Sequence, residues 1–191
     1  MNASRRFSGY TDVDLNEEGF KQAEKLRERL AGERIDAVYC SDLKRTVSTA
    51  EVISRGQESE FTRCFELREL HYGDAEGLTF DEITAKFPHI SEGLRNSFLD
   101  LDFPGGEDFN EFSARVCTFP AKLKDHPEEH TVLIVAHGGS LRTLVCHFLG
   151  IGQEHWRKFR FDNCSLSIID LYSERVILSL LNDTTHLTEK K

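Results

Sequence analysis

Apolar residues recur along this chain with two periods, and the period switches several times. After a polar, turn-like stretch over residues 1–15, Phe20, Ala23, Leu26 and Leu30 fall on one stripe at helical spacing. Asn16 can cap that helix, Glu17 and Glu18 suit its positive end, and Gly32 stops it. Ile35 to Cys40 is a short, mostly apolar run and predicts a buried strand. Ser41 is then the predicted cap of a helix carrying Arg45, Thr49 and Ala50. Phe61 to Leu67 predicts another strand.

Farther on, Thr79 and Glu82 form a capping box for a helix that Pro88 ends. Phe98, Leu99, Leu101 and Phe103 follow without a clear period, and Pro104-Gly105-Gly106 reads as a loop. Asp108 opens a long helix with Phe109, Phe112, Val116, Phe119 and Leu123 on one face, which Pro120 should kink or end. Thr131 to Ala136 predicts a second buried strand. Gly138-Gly139-Ser140 turns into a helix with Leu141, Leu144, Val145 and Phe148 at the core positions, closed by Gly150. Leu166 to Leu171 and Arg175 to Leu181 pair as a hairpin around Ser173-Glu174. Strands that alternate with helices and then end in a hairpin predict an α/β fold, a mixed, mostly parallel sheet covered on both faces. A single domain over 1–183 and a frayed tail over 184–191 are expected.

Composition narrows the class. A chain of 191 residues with 39% hydrophobic and 30% charged residues can bury a sizeable core. No apolar run reaches the length of a membrane span, and no secretory signal is visible at the N-terminus, so a cytoplasmic protein with no membrane partner is expected. A net charge of -9 argues against a nucleic-acid partner. It leaves room for an anionic small substrate, because a local cluster of Arg and His can overcome a diffuse negative field. Cys40, Cys64, Cys117, Cys146 and Cys164 are odd in number and scattered, which fits buried thiols in a reducing compartment and gives no metal spacing. No cofactor is expected, and a homodimer is left open.

The candidate chemistry sits where strands give way to helices, since catalytic groups in such sheets gather at the carboxyl ends of parallel strands. His137 leaves a strand just before Gly138-Gly139 and a helix start, where free N–H groups and the helix dipole attract an anion. Arg45 lies about one turn into the helix after Cys40-Ser41, where a guanidinium can hold phosphate oxygens in pairs. Glu69 lies in Leu67-Arg68-Glu69, ahead of Gly73 to Gly77, and a carboxyl group beside a phosphate site can act as general acid or base. Taken singly, each has an ordinary alternative: a core histidine, a solvated helix arginine, a surface salt bridge.

Taken together and in this order, the residues resemble the histidine phosphatase superfamily, the phosphoglycerate mutase-like fold. The matching positions are Asn2, Arg6, Gly9, Ser41-Asp42-Leu43-Lys44-Arg45, Leu67-Arg68-Glu69, Gly73 to Gly77 and Ala136-His137-Gly138-Gly139. The resemblance implies a three-layer α/β/α architecture and a phosphomonoesterase acting on a small phosphorylated metabolite. It implies that His137 is the second, oxygen-holding histidine, Arg45 a phosphate clamp and Glu69 the general acid/base. Asn2, Arg6, Ser8 and Gly138 would line the phosphate pocket. Phosphoryl transfer suits such a set, because it needs in-line positioning and a cationic cradle.

The sequence departs from the family pattern at one place. The opening strand ending in Arg-His-Gly, which carries the nucleophilic histidine in the family, is absent, and its position would be central in the sheet. The 191-residue chain is therefore expected to show little or no phosphatase activity, and an upstream segment encoding that strand is expected. The segment Phe103 to Asp108, with Phe112 and Arg115-Val116 after it, resembles the α-ribazole phosphatase branch, and the short chain favours a phosphatase over a phosphoglycerate mutase-type phosphotransferase. Glu107 is a candidate for the substrate entrance, an exposed loop carboxylate being its commoner role. A cysteine phosphatase fails because Cys40 to Arg45 is one residue short and lacks glycine. An aspartate phosphatase fails because Asp12-Val13-Asp14 has no strand before it. The rival from another class is a non-catalytic protein that binds a phosphorylated ligand.

Overall fold

The computed structural model describes residues 6–95 and 98–188. Three parallel strands, β1 (Ala37–Ser41), β2 (Glu60–Cys64) and β3 (Val132–Val135), form a sheet in the order β2-β1-β3. Val38 stands opposite Phe61 on one side and Leu133 on the other. β4 (Leu166–Leu171) and β5 (Val176–Asp183) pair antiparallel as a separate hairpin. The parallel sheet flanked by helices is the α/β fold expected from the sequence, and the described strands form two sheets that part between β3 and β4; among them β3 pairs only with β1 and β4 only with β5.

The side-chain alternation of the strands builds the layers. Val38 and Cys40 of β1, with Leu133 and Val135 of β3, pack against Val47 and Ala50 of α2 (Lys44–Ile53). Tyr39 and Ile134, one residue out of phase, join the large aromatic core on the other side. That core holds Phe109 and Phe112 of α5 (Phe109–Val116) and Leu144 of α6 (Gly138–Phe148). Leu26 and Leu30, at the end of α1 (Glu17–Arg29), meet Ile53, Leu133 and Leu166 and tie the hairpin to the sheet. The stripe expected for α1 holds at Ala23, Leu26 and Leu30, but Phe20 is 39% exposed.

Helix ends follow the local chemistry with a few corrections. Asn16 accepts from Gly19 N–H, and the Thr79–Glu82 box opens α3 (Phe80–Lys86). Pro88 forces Phe87 out of helical geometry and then itself starts α4 (Pro88–Arg95), so it separates two helices. The Asp108–Glu111 box opens α5. α5 ends at Val116, the residue whose carbonyl the Pro120 ring would strike, and a 3-10 stretch over Phe119–Asp125 replaces the expected long helix. Ser41 proves to be the last residue of β1, and the cap of α2 is Leu43. β2 stops at Cys64, and a 3-10 turn over Phe65–Leu67 swings the chain toward Glu69. Past the hairpin the chain is held to α1, where Lys25 Nζ donates to the Leu187 carbonyl, so the segment expected to fray is tied down at least that far.

Candidate active site

The carboxyl ends of β1 and β3 lie side by side, and each hands the chain to a helix. His137 lies two residues past the end of β3, after Ala136, and occupies the cap position of α6 in extended geometry. Its backbone N–H donates to Ser140 Oγ at 3.1 Å, which fixes the entry of the chain into the helix. Gly138 takes the first helical position, where a backbone N–H has no acceptor within the helix.

Arg45, on the first turn of α2, donates from Nε to His137 Nδ1 at 3.3 Å. An Nδ1 that accepts leaves the ring proton of a neutral imidazole on Nε2. That Nε2 is buried with no partner among the described residues. Burial holds the His137 ring well below the usual histidine range, and the positive charges of Arg45, Arg115 and Arg68 push it the same way. The site therefore presents a neutral imidazole with one unsatisfied N–H donor. A buried donor of this kind favours an acceptor in its place.

The other end of the Arg45 guanidinium shapes the preceding loop. Nη1 donates to the Thr11 carbonyl at 2.8 Å, and Nη2 to the carbonyls of Gly9 at 2.7 Å and Ser8 at 3.4 Å. Glu76 holds the same loop from the opposite side, accepting from the backbone N–H of Gly9, Tyr10 and Thr11 and from the Thr11 hydroxyl at 2.6 Å. A Cβ on Gly9 would stand 1.9 Å from the Leu70 carbonyl oxygen, so only glycine fits there. Burial lowers the Arg45 affinity for its proton, and the carboxylates of Glu69, Glu76 and Asp12 oppose that effect. The guanidinium stays charged throughout the working pH range.

Glu69 comes to this cluster through α6. Its Oε2 accepts from Gly139 N–H at 2.9 Å, and its Oε1 from Leu70 N–H at 2.9 Å. A Cβ on Gly139 would lie 2.0 Å from Glu69 Oε1, so the second glycine of the pair is what lets the carboxylate reach the helix start. A carboxylate here also faces the positive end of the α6 dipole.

The structure thus brings together Arg45, Glu69, His137 and Gly138, with the Ser8 carbonyl at their edge. Arg6 goes elsewhere: it donates to the Gly77 carbonyl at 2.7 Å and to Glu82 at 2.8 Å, and the charges bearing on His137 come from other residues. The Arg6 backbone pairs with Thr79, which aims the side chain along the start of α3. Asn2 lies outside the described residues. Glu107 is no exposed loop carboxylate. It forms a two-pronged ion pair with Arg115 at 2.7 and 2.8 Å, with side-chain exposures of 17% and 11%.

Arg115 is a residue to which the sequence analysis assigns no role in the site. It also donates to the carbonyls of Glu66, Arg68 and Glu69 at 3.0 to 3.2 Å, bracing the segment that carries Glu69. The only local signal was an arginine in the last turn of α5, which reads as an ordinary dipole partner.

Comparison with known proteins identifies the family. The sequence pattern of the histidine phosphatase superfamily (branch 1) matches residues 1–184. The chain is 32% identical over 184 residues to phosphoserine phosphatase 1 of Hydrogenobacter thermophilus, covering 96% of this chain and 87% of that protein. It is 35% identical over 191 residues to the probable phosphoglycerate mutase GpmB of Salmonella typhi, covering 97% and 89%. The crystal structure of a putative alpha-ribazole-5'-P phosphatase from Escherichia coli superposes with a TM-score of 0.89 at 28% identity, covering 95% and 90%. With an arginine, a histidine and a glutamate gathered beyond the carboxyl ends of the three parallel strands and a family pattern that spans nearly the whole chain, this protein belongs to the histidine phosphatase superfamily.

Proposed function

We propose that the protein binds small phosphomonoesters at the Arg45–His137 pair and that the site is built for their hydrolysis. The observation that carries this reading is the buried, unpartnered Nε2 of His137 beside a fixed arginine. A phosphoryl oxygen would satisfy that donor, and the Arg45 charge would offset the developing negative charge. Glu69, held on the Gly139 N–H, is the general acid that protonates the leaving oxygen and then the base that activates water. Gly138 N–H is a further donor to the phosphoryl group at the helix start. The five cysteines are all free thiols, three of them buried, which supports a reducing, cytoplasmic setting.

Hydrolysis by the family route also needs a nucleophilic histidine. Each of the other seven histidines has a partner other than His137: His71 stacks on Tyr10, His126 and His130 meet each other near Tyr39, and His186 bonds the Cys164 carbonyl. His89, His147 and His155 pair with Phe87, Phe148 and Glu154. The 191-residue polypeptide is accordingly proposed to bind phosphate esters but to turn them over at a negligible rate. The split between β3 and β4 supports an added strand there, one ending in Arg-His-Gly, as the source of the nucleophile.

Two measurements test this. Calorimetry should detect inorganic phosphate bound to the 191-residue chain, and Arg45→Ala should remove it. An aryl phosphate should be hydrolysed only after an upstream strand bearing the histidine is added to the chain. Turnover by the 191-residue chain at rates typical of phosphatases would refute the need for that strand, and absence of phosphate binding would refute the site.

A second reading, an α-ribazole-5'-phosphate phosphatase, is favoured by the Phe103–Asp108 segment and by the structural likeness to the putative Escherichia coli enzyme. The two readings differ in the leaving group, not in the phosphate site.

A further inference from the structure

A second cavity, of about 250 Å³, lies beside the start of α6 and is lined by Tyr72, Phe98, Arg142, Trp156 and Arg157. It adjoins the phosphate site through α6 itself. Trp156 Nε1 donates to the Gly139 carbonyl at 3.1 Å, and a Cβ built on Gly138 would have Arg142 Nη1 as its nearest neighbour, at 3.7 Å. Tyr72 also senses the charges of Glu69 and Arg142.

Among the described residues, no carboxylate pairs with the charge in this cavity. Arg142 spends its Nε on the Phe159 carbonyl, and Arg157 spends one Nη on the Leu94 carbonyl. Both partners are neutral, and no lining residue is acidic. Among the described residues neither arginine forms an ion pair, although the chain as a whole carries a net charge of -9. Arg142 lies over the Trp156 ring at 4.8 Å, and Arg157 over Phe98 at 5.9 Å. Phe98 and Trp156 are stacked at 4.7 Å, so the two guanidinium groups rest on a rigid aromatic floor. A planar guanidinium with spare N–H donors on such a floor is suited to holding an oxyanion in pairs of hydrogen bonds.

We infer that Arg142 and Arg157 form a specificity pocket for a second anionic group, a carboxylate or phosphate, on the leaving-group side of the phosphomonoester. This rests on the phosphate site proposed above. Arg142 is five residues beyond His137, about 7.5 Å along the helix axis at about 1.5 Å per residue. A compact substrate with its two anionic groups a few bonds apart spans that separation. A phosphomonoester with an uncharged leaving group would leave both arginines without a counter-charge.

The test compares ligands that differ by one anionic group, using calorimetry on the 191-residue chain. O-phosphoserine and O-phosphoethanolamine differ by a carboxylate, and propane-1,3-diol bisphosphate and its monophosphate differ by a phosphate. The di-anionic member of at least one pair should bind about tenfold tighter, the size expected of one added charge-assisted hydrogen bond. Which pair shows the gain identifies the group. Arg142→Gln and Arg157→Gln should each bring that ratio toward one. Arg157 lies on the rim, so Arg157→Gln reads the ratio even where loss of Arg142 disturbs Trp156. Inorganic phosphate bound normally with both ratios near one would overturn the pocket alone. Ratios that survive both substitutions would overturn it as well. No binding of inorganic phosphate would overturn the phosphate site, and this pocket with it.

Discussion

Arg45 Nε donates to His137 Nδ1 at 3.3 Å, and this one bond joins the ends of two adjacent parallel strands. It fixes the tautomer of the histidine and aims the other ring nitrogen into the site. The same guanidinium reaches back to the carbonyls of Gly9 and Thr11, so the charge, the ring and the loop are set together. Lysine offers a point charge without the planar fork and cannot satisfy these acceptors at once. Arg45→Lys should weaken inorganic phosphate binding at least tenfold by calorimetry and speed proteolytic cleavage around residues 8–11. Unchanged affinity would show that the fork is not needed.

The depressed proton affinity of His137 has a consequence for stability. The unfolded chain protonates this residue near pH 6.5, whereas the folded protein keeps it neutral to well below that. Below about pH 6.5 the unfolded state therefore binds the extra proton. Folding stability from this group is full above pH 6.5 and is lost as pH falls toward the folded-state value, at up to about 1.4 kcal/mol per pH unit. Urea midpoints at pH 7.5 and pH 5.5 should fall further for the native protein than for His137→Asn. Equal falls in the two proteins would rule out His137 as the source.

Gly139 is required by its neighbour more than by its own backbone. The 2.0 Å approach of a Cβ to Glu69 Oε1 would expel the carboxylate from the start of α6. Gly139→Ala should cost about 2–3 kcal/mol in chemical denaturation, in the range of overpacked sites. Gly32→Ala, with nothing within 4 Å of the added carbon, should stay within about 0.5 kcal/mol. A small effect at Gly139 would mean that Glu69 can retreat without cost.

Arg115 and Glu107 form a mostly buried ion pair whose arginine also binds the backbone of residues 66–69. Removing one partner strands a charge, so Arg115→Met should destabilise by about 3 kcal/mol. The double substitution Arg115→Met with Glu107→Met should recover part of that loss, because no unpaired carboxylate remains. Additive losses in the cycle would show that the two groups act independently.

Much of the fold is legible in the sequence because it is encoded over a few neighbouring residues. The boxes Thr79–Glu82 and Asp108–Glu111 announce their helices, and the Gly138-Gly139 turn places His137 at a strand end. Where the reading went astray, a longer-range effect decided. Ser41 stays in β1 because its backbone pairs with Cys64, and β2 stops early because the chain must turn Glu69 toward α6. Glu107 looked exposed because its partner, eight residues on, is reached only when α5 folds back over the loop.

The sequence by itself determined which residues could do chemistry here and at which strand ends they stand, because residue type and hydrophobic period are local properties. Only the tertiary structure decided which of them meet. It brought Arg6 to Glu82, it gave Arg115 to the segment that carries Glu69, and it set Arg142 and Arg157, without an ion pair among the described residues, on an aromatic floor. Those outcomes depend on packing between residues dozens of positions apart, where direction and burial decide, and neither is written in any short stretch of the chain.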